Sequence, residues 1–296
     1  MKFSGFDHGQ AVCSRLCSIL GFVVLIGFPR HLHGHADIEE IIADLTKQIQ
    51  AQPGSGNLYF HRAEAHRLHS DWTNALSDYA TALKLNPDLT TVYRSRGQTL
   101  YEANRPAEGL AELNQFLKLQ PGEPAGLFIR GHIWMRLNHP QEAAADFRAS
   151  IAAHTSPEIG HYIARAQAIA ACGTNYIQEA LEGLDQGSKR WGGSLQLEEM
   201  AIDLEVSRNN FDGALRRLDK SMERLPRKES SYVRRAQIME KAARPSAALE
   251  SYRQALKRIE ALPPPRRNVR AIIQLKNDVQ TAMARLNFEQ TDAAKP

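Results

Sequence analysis

Apolar and polar residues follow a helical period in the first third of the chain. From residue 72, apolar side chains recur at i, i+3, i+4, i+7, i+10 and i+11: Trp72, Ala75, Leu76, Tyr79, Ala82 and Leu83. This spacing places them on one face of an α-helix. The preceding residues 59–68 contain no proline or glycine, and Tyr59, Ala63 and His66 share one helical face. Because Asp71 can cap the second helix and Pro87 ends it, the pattern predicts two helices joined by a short turn.

This predicted helix pair recurs at a constant interval of about 34 residues. Three kinds of position recur at this interval: a small residue on the first helix, a small residue on the second helix and a bulky residue on the second helix. In the same order these are Ala63, Gly97 and Gly131, then Ala75, Gly109 and Ala143, then Tyr79, Leu113 and Phe147. The interval resumes from Ala214 to Ala248 and from Leu218 to Tyr252. Small residues allow two helices to approach closely, and the bulky residues fill the space toward the next pair. Such a period is typical of arrays whose units bury one another's apolar faces.

The spacing, the small and aromatic positions and the closing prolines resemble the tetratricopeptide repeat family, whose unit is a pair of antiparallel helices of about 34 residues. The resemblance covers roughly residues 55–262, and the N-terminal segment described below suggests a member of the exported bacterial type. It implies an all-α fold, a right-handed α-solenoid of about six antiparallel helix-pair repeats with capping helices at both ends. It also implies a non-catalytic role in binding other proteins.

Predicted boundaries follow from the repeat. An apolar stripe that includes Ile38, Ile42 and Leu45 predicts an N-terminal capping helix over 37–54. The units are expected near 56–89, 90–123, 124–157, 158–194, 195–228 and 229–262. The fourth is irregular because the step from Ala143 to Ala180 is longer than the others, and an unrelated linker helix is the alternative there. We expect the proline run 263–265 to end the array, a second capping helix over 263–288 and a disordered tail over 289–296.

Residues 1–36 have a different pattern. The segment from Leu16 to Phe28 is uncharged and mostly apolar. A membrane-spanning helix needs about 20 such residues, whereas a signal-peptide core needs roughly 7–15, and the segment falls in the second range. Gly34 and Ala36 are small, so we predict a signal peptide over 1–36 that is cleaved after Ala36, or after Gly34 as second choice. This predicts a periplasmic or secreted protein without stable membrane insertion; the alternative is an uncleaved inner-membrane anchor with the array facing the periplasm.

Charge and cysteine content further limit the possible functions. The formal net charge is +4, and about +2 remains once Lys2, Arg15, Arg30 and Asp7 leave with the predicted signal. No cluster of aromatic residues interleaved with Lys and Arg occurs, so we do not expect nucleic-acid binding. Cys172 would be the only cysteine of the exported chain, which excludes an internal disulfide there.

The family resemblance places a concave groove on the first helix of each pair. The expected partner-binding residues are Phe60, Glu64, Arg67, Arg94, Gln98, Tyr101, Phe128, His132, Arg136, Glu199 and Asp203. The N-terminal half of the groove combines arginines with aromatic rings, and the C-terminal half, which contains Glu199 and Asp203, is acidic. This split favours a peptide or helix of another protein with the opposite polarity. Ordinary solvated helix faces are the alternative. Glu64, Gln98 and His132 occupy the position where carboxylate-clamping members of the family carry Asn, so we expect no such clamp.

Two further hypotheses come from other classes of protein. His31, His33 and His35 have the alternate spacing that suits Zn, Cu or Ni, which allows a metal-binding or metal-delivery protein. Cleavage after Ala36 would remove them, so no metal site or cofactor is expected in the mature chain. The chain contains no nucleophile elbow and no glycine-rich phosphate loop. We therefore predict no catalytic residue and favour an adaptor in the bacterial cell envelope, with an accessory subunit of a separately encoded enzyme as the remaining alternative.

Overall fold

The computed structural model describes residues 35–293, with side chains from 37 to 289. The predicted signal peptide and the histidine side chains at 31, 33 and 35 lie outside the described side chains. Within 35–293 every regular element is helical. No helix in this range is both long enough and apolar enough to cross a bilayer.

Fifteen α-helices and one short 3-10 turn follow one another over the described range. In chain order they are α1 His35–Ala51, α2 Gly56–Leu68, α3 Trp72–Leu85, α4 Thr91–Glu102, α5 Pro106–Leu119, α6 Pro124–Arg136, α7 Pro140–Ala153, α8 Ile159–Ala171, the 3-10 turn Thr174–Tyr176, α9 Ile177–Arg190, α10 Leu195–Ser207, α11 Phe211–Arg224, α12 Glu229–Lys241, α13 Pro245–Glu260, α14 Pro264–Arg267 and α15 Arg270–Ala293.

The described part of the chain divides into two compact units, one that ends at Pro121 and one that begins at Gly122. In the described part of the first unit, α1 packs against α2, and α2/α3 and α4/α5 form helix pairs. In the second unit the pairs are α6/α7, α8/α9, α10/α11 and α12/α13, and α15 packs against α13. The predicted all-α array of antiparallel helix pairs with a capping helix at each end is confirmed.

Each pair is held together at the small residues that the repeat predicted. Ala63 and Ala75 are fully buried between α2 and α3. A Cβ atom at Gly97 would collide with Leu113 Cδ2 and would lie 3.1 Å from the backbone oxygen of Gly109. A Cβ at Gly131 would lie 2.6–2.9 Å from the ring of Phe147. Glycine therefore allows the observed close approach of α4 to α5 and of α6 to α7 without moving Leu113 or Phe147.

Ion pairs between the two helices of a pair also recur at the repeat interval. In each case an arginine of the first helix donates to a carboxylate at a fixed spacing along the second: Arg62–Asp78, Arg96–Glu112 and Arg130–Asp146, each at 2.7 Å. Arg62 and Arg130 bind both oxygens of their partners. These partly buried bidentate pairs add direction and specificity to an otherwise apolar contact. The sequence analysis did not identify them.

The fourth pair departs from this arrangement. Residues 158–194 do form a helix pair, and the 3-10 turn accommodates the additional residues between α8 and α9. Arg165 occupies the arginine position, but the residue opposite is Gly183, whose missing side chain leaves space for the Arg165 guanidinium. Arg165 is 8% exposed and donates only long hydrogen bonds of 3.3 and 3.4 Å to Gln186 Oε1. Burial without a carboxylate lowers the pKa of Arg165.

The C-terminal end contains two helices and differs from the prediction in its length. After α13 ends at Glu260, Pro264 and Pro265 occupy the first positions of α14, where a missing N–H is tolerated. Residues 289–293, predicted as part of a disordered tail, continue α15. No proline or glycine occurs between Arg270 and Ala293 to end this helix, and the buried Val279 and Leu286 anchor it.

Substituting Gly97 by alanine tests the contact between α4 and α5. The new methyl group meets Leu113 and the Gly109 backbone, so we expect the free energy of unfolding to fall by about 1–3 kcal/mol despite the better helix propensity of alanine. Urea denaturation measures this. Gly160→Ala is the matched control, because the Gly160 site in α8 has no neighbour within 4 Å and should tolerate the methyl group. Equal stabilities for both variants would contradict the close contact.

Candidate functional site

In each unit the first helices of successive pairs contact one another through their side chains. In the first unit Arg67 of α2 reaches Glu102 of α4 at 3.0 Å. In the second unit the ring of Phe128 in α6 lies 4.2 Å from that of His161 in α8. We call the surface formed by these side chains the first-helix face of each unit, and all the sequence-predicted binding residues lie on these first helices.

A partly buried polar network lies on the first-helix face of the first unit. Arg67 is 7% exposed and donates to both oxygens of Glu102, at 3.0 and 3.1 Å, and to Glu64 Oε2 at 3.2 Å. Tyr79 Oη donates to Glu64 Oε1, and Gln98 Nε2 donates to Glu102 Oε1 at 2.9 Å. Arg67, Glu64 and Gln98 were predicted to bind a partner. In the structure all three form hydrogen bonds within the chain, to Glu102, to Tyr79 or to one another.

Electrostatics fix the protonation state of this network. Burial by itself lowers the pKa of Arg67, but Glu64 and Glu102 outweigh burial and the net pKa is raised. Burial, and then the charge of Glu64, raise the pKa of Tyr79. The guanidinium therefore stays charged and the phenol stays protonated at physiological pH, so the network joins α2, α3 and α4 through fixed donors and acceptors.

Three predicted residues of the first unit remain at the surface. Phe60 is partly exposed, and its ring lies 6.1 Å from that of Tyr79. The Arg94 guanidinium lies 5.8 Å from the centre of the Phe116 ring. Tyr101, near the end of α4, is also partly exposed. These side chains offer two rings and one cation to a partner.

An aromatic–histidine cluster occupies the first-helix face of the second unit. It comprises Phe128, His132, Phe147, His154 and His161. Phe128 makes an edge contact with His132 at 4.6 Å and lies 5.4 Å from Phe147. His154 lies 5.2 Å from His161. Phe128 and His132 were predicted as partner-binding residues, and both are partly covered by the other members of the cluster.

Two histidines of this cluster, His132 and His161, lie in surroundings that favour the neutral ring and lower its pKa. Burial, and then His161, lower the pKa of His132. Burial, and then His154, lower the pKa of His161, while Glu158 acts in the opposite direction. The Glu158 backbone N–H donates to His161 Nδ1 at 3.2 Å, which places the ring proton on Nε2. Within residues 37–289 no group of three or more His, Cys, Asp or Glu side chains is arranged to hold a metal ion.

The acidic residues of the predicted groove differ in their environments. Asp203 forms an ion pair with Arg234 of the next first helix, α12. Glu199 is exposed; partial loss of solvent raises its pKa, and Arg234 counteracts this effect. Arg136, at the end of α6, is exposed. Arg234 therefore reduces the negative charge around Glu199 and Asp203, an effect that the repeat pattern does not reveal.

Comparison with known proteins identifies the same type of repeat. A family model described as tetratricopeptide repeat matches residues 94–157. Human tetratricopeptide repeat protein 13 is 32% identical over 81 residues, which are 27% of this chain and 9% of that protein, so the chain spans less than a tenth of this relative's length.

Solved structures show the same fold at low sequence identity. A tetratricopeptide repeat protein from Parabacteroides merdae is 16% identical with a TM-score of 0.52, over 83% of this chain and 93% of that one. YrrB, described as a TPR protein with an unusual peptide-binding site, is 17% identical with a TM-score of 0.51, over 71% of this chain and 97% of that one.

The lowered pKa values of His132 and His161 predict that the folded chain becomes less stable as the pH decreases. Below their ordinary value of 6.5 the unfolded chain takes up protons that the folded chain resists, so the free energy of unfolding decreases from pH 7 toward pH 5. We expect His132→Phe, His161→Phe to reduce this dependence in urea titrations at both pH values. The exposed His139→Gln is the control and should behave as wild type. An unchanged pH dependence in the double variant would exclude this cause.

Proposed function

We propose that this chain, a member of the tetratricopeptide repeat family, is a non-catalytic scaffold that binds a peptide or helix of a partner protein on its first-helix faces. Proteins with these repeats mediate protein–protein interaction. The observation that supports the proposal is the direct contact between neighbouring first helices, which joins side chains from adjacent repeats into one surface within each unit. An extended partner could contact more than one repeat on such a surface.

The proposed binding residues are those left partly exposed on these faces. Phe60 and Tyr101 supply rings in the first unit, beside Arg94, and Phe128 and Arg136 lie on the face of the second. Rings contribute apolar contact area with little loss of conformational freedom, and arginine pairs with carboxylates. His132 would add a neutral ring, and Glu199 and Asp203 would contribute acidic contacts. Glu64, Arg67 and Gln98 would support the face from below rather than touch the partner.

Cross-linked affinity capture from the host tests this role. We expect Arg94→Glu, Arg136→Glu to lose a partner that wild type retains, because both cations lie on first helices. Lys118→Glu, Lys220→Glu is the matched control, with the same charge change, one substitution in each unit, on exposed second-helix positions. Circular dichroism establishes that each variant is folded. Recovery of the same partner by all three proteins would place binding elsewhere.

For location, we propose export to the bacterial cell envelope. The support is the sequence alone, an uncharged and mostly apolar core from Leu16 to Phe28 followed by small residues at 34 and 36. The intact mass of the protein from a bacterial host is expected to lack residues 1–36. An unprocessed chain in the membrane fraction would instead favour the anchor. An unprocessed chain would also retain His31, His33 and His35, so metal binding would remain possible. Enzymatic activity found only in a co-purified complex would instead favour an accessory subunit.

A further inference from the structure

Two basic segments converge at the C-terminal end of the second unit. One runs from the last residue of α11 to the residue before α12, residues 224–228, and the other from the end of α14 to the first residue of α15, residues 266–270. Between them lies an open cleft of about 690 Å³. Its lining residues are Pro226, Arg227, Arg266, Val269, Ala271 and Ile272. None of them belongs to a first helix, so the cleft is separate from the first-helix face.

The charges in these segments are unbalanced. Together the segments contain six basic residues and no acidic residue. Arg224 forms an ion pair with Glu198, and Arg267 donates to the backbone oxygen of Glu260. The side chains of the other four, Arg227, Lys228, Arg266 and Arg270, have no hydrogen-bond or ion-pair partner among the described residues. This contrasts with Arg62, Arg96 and Arg130, whose guanidinium groups bind carboxylates of the same chain.

Apolar side chains lie open between these cations. Val269 is 50% exposed and Ile273, one turn later, is 47% exposed. Ile272 and Pro226 line the cleft. Exposed apolar surface rimmed by charged residues is a common feature of interaction sites. A small inorganic anion would satisfy the guanidinium groups but would leave this apolar surface in contact with water.

We propose that the cleft binds an acidic segment of a partner protein, one in which carboxylates flank an apolar side chain. The carboxylates would pair with Arg227 and Arg266, and the apolar side chain would cover Val269 and Ile272. Arginine forms bidentate hydrogen bonds with carboxylates, and the pairs would be stronger beside apolar surface that excludes water. No aromatic side chain lines the cleft, which argues against a site for single-stranded nucleic acid, where bases stack on rings.

A labelled amphipathic peptide with Leu at helical spacing and Glu beside each Leu is the probe. Fluorescence anisotropy should show binding to the full chain, with at least tenfold weaker binding for Arg227→Glu, Arg266→Glu and weaker binding for Val269→Ser. Arg216→Glu, Lys220→Glu is the matched control, since these residues are exposed on α11 outside the cleft, and it should bind like wild type. The groove variant Arg94→Glu, Arg136→Glu should also bind normally, which separates this site from the first-helix face.

Several outcomes would overturn the proposal. A peptide with Gln in place of every Glu that binds equally well would show that the carboxylates are not recognised. If the control variant Arg216→Glu, Lys220→Glu weakened peptide binding equally, the loss would be due to the change in net charge and not to the cleft. Binding of phosphatidylglycerol vesicles or of an oligothymidine that depends on Arg227 and Arg266, with no binding of the peptide, would assign the cleft to a membrane or nucleic acid instead. The conservative variant Arg227→Gln, Arg266→Gln repeats the test if the charge reversal lowers thermal stability.

Discussion

The close approach of two helices at small residues is the constraint on which each helix pair depends. Alanine fills this position between α2 and α3, whereas at Gly97 and Gly131 a Cβ atom would collide with Leu113 or Phe147, so there the second helix is positioned by its own bulky residue. Because this distance is fixed, an arginine on the first helix reaches a carboxylate on the second in three pairs. Packing therefore sets the geometry, and the ion pairs fix the relative orientation of the two helices.

The pattern of small and bulky residues was sufficient to predict the helix pairs, because each pair repeats the same local contacts at a constant interval. It could not assign roles on the first-helix faces. Arg67 has the position of a groove residue, but its partner Glu102 lies on the next first helix. Phe128 of α6 likewise meets His161 of α8. Contacts between neighbouring repeats depend on the identities of two residues at once, and the repeat pattern constrains only one position at a time.

These contacts change how the proposed function would work. Glu64 and Glu102 both accept from Arg67, and Tyr79 donates to Glu64, so the charge of Arg67 is balanced within the chain. A related arrangement occurs near the other end, where Tyr252 donates to Glu240 at 2.6 Å and Arg285 of α15 pairs with the same carboxylate. Recognition on the first-helix faces would then rest more on rings such as Phe60, Tyr101 and Phe128 than on arginine pairing, with selectivity coming from the shape of the surface.

The fourth pair shows how far the array tolerates departure from its own pattern. Gly183 removes the carboxylate that Arg62, Arg96 and Arg130 each have, and the buried Arg165 remains with weak hydrogen bonds and a lowered pKa. Each glycine within α9 also costs about 0.5–1 kcal/mol relative to alanine. The pair persists because Gly187 allows the Tyr162 ring to pack against α9, and because Ala180, Leu181 and Leu184 are buried there. An array whose units are stabilised mainly by apolar contacts with their neighbours can lose an ion pair in one unit and keep its helices in register.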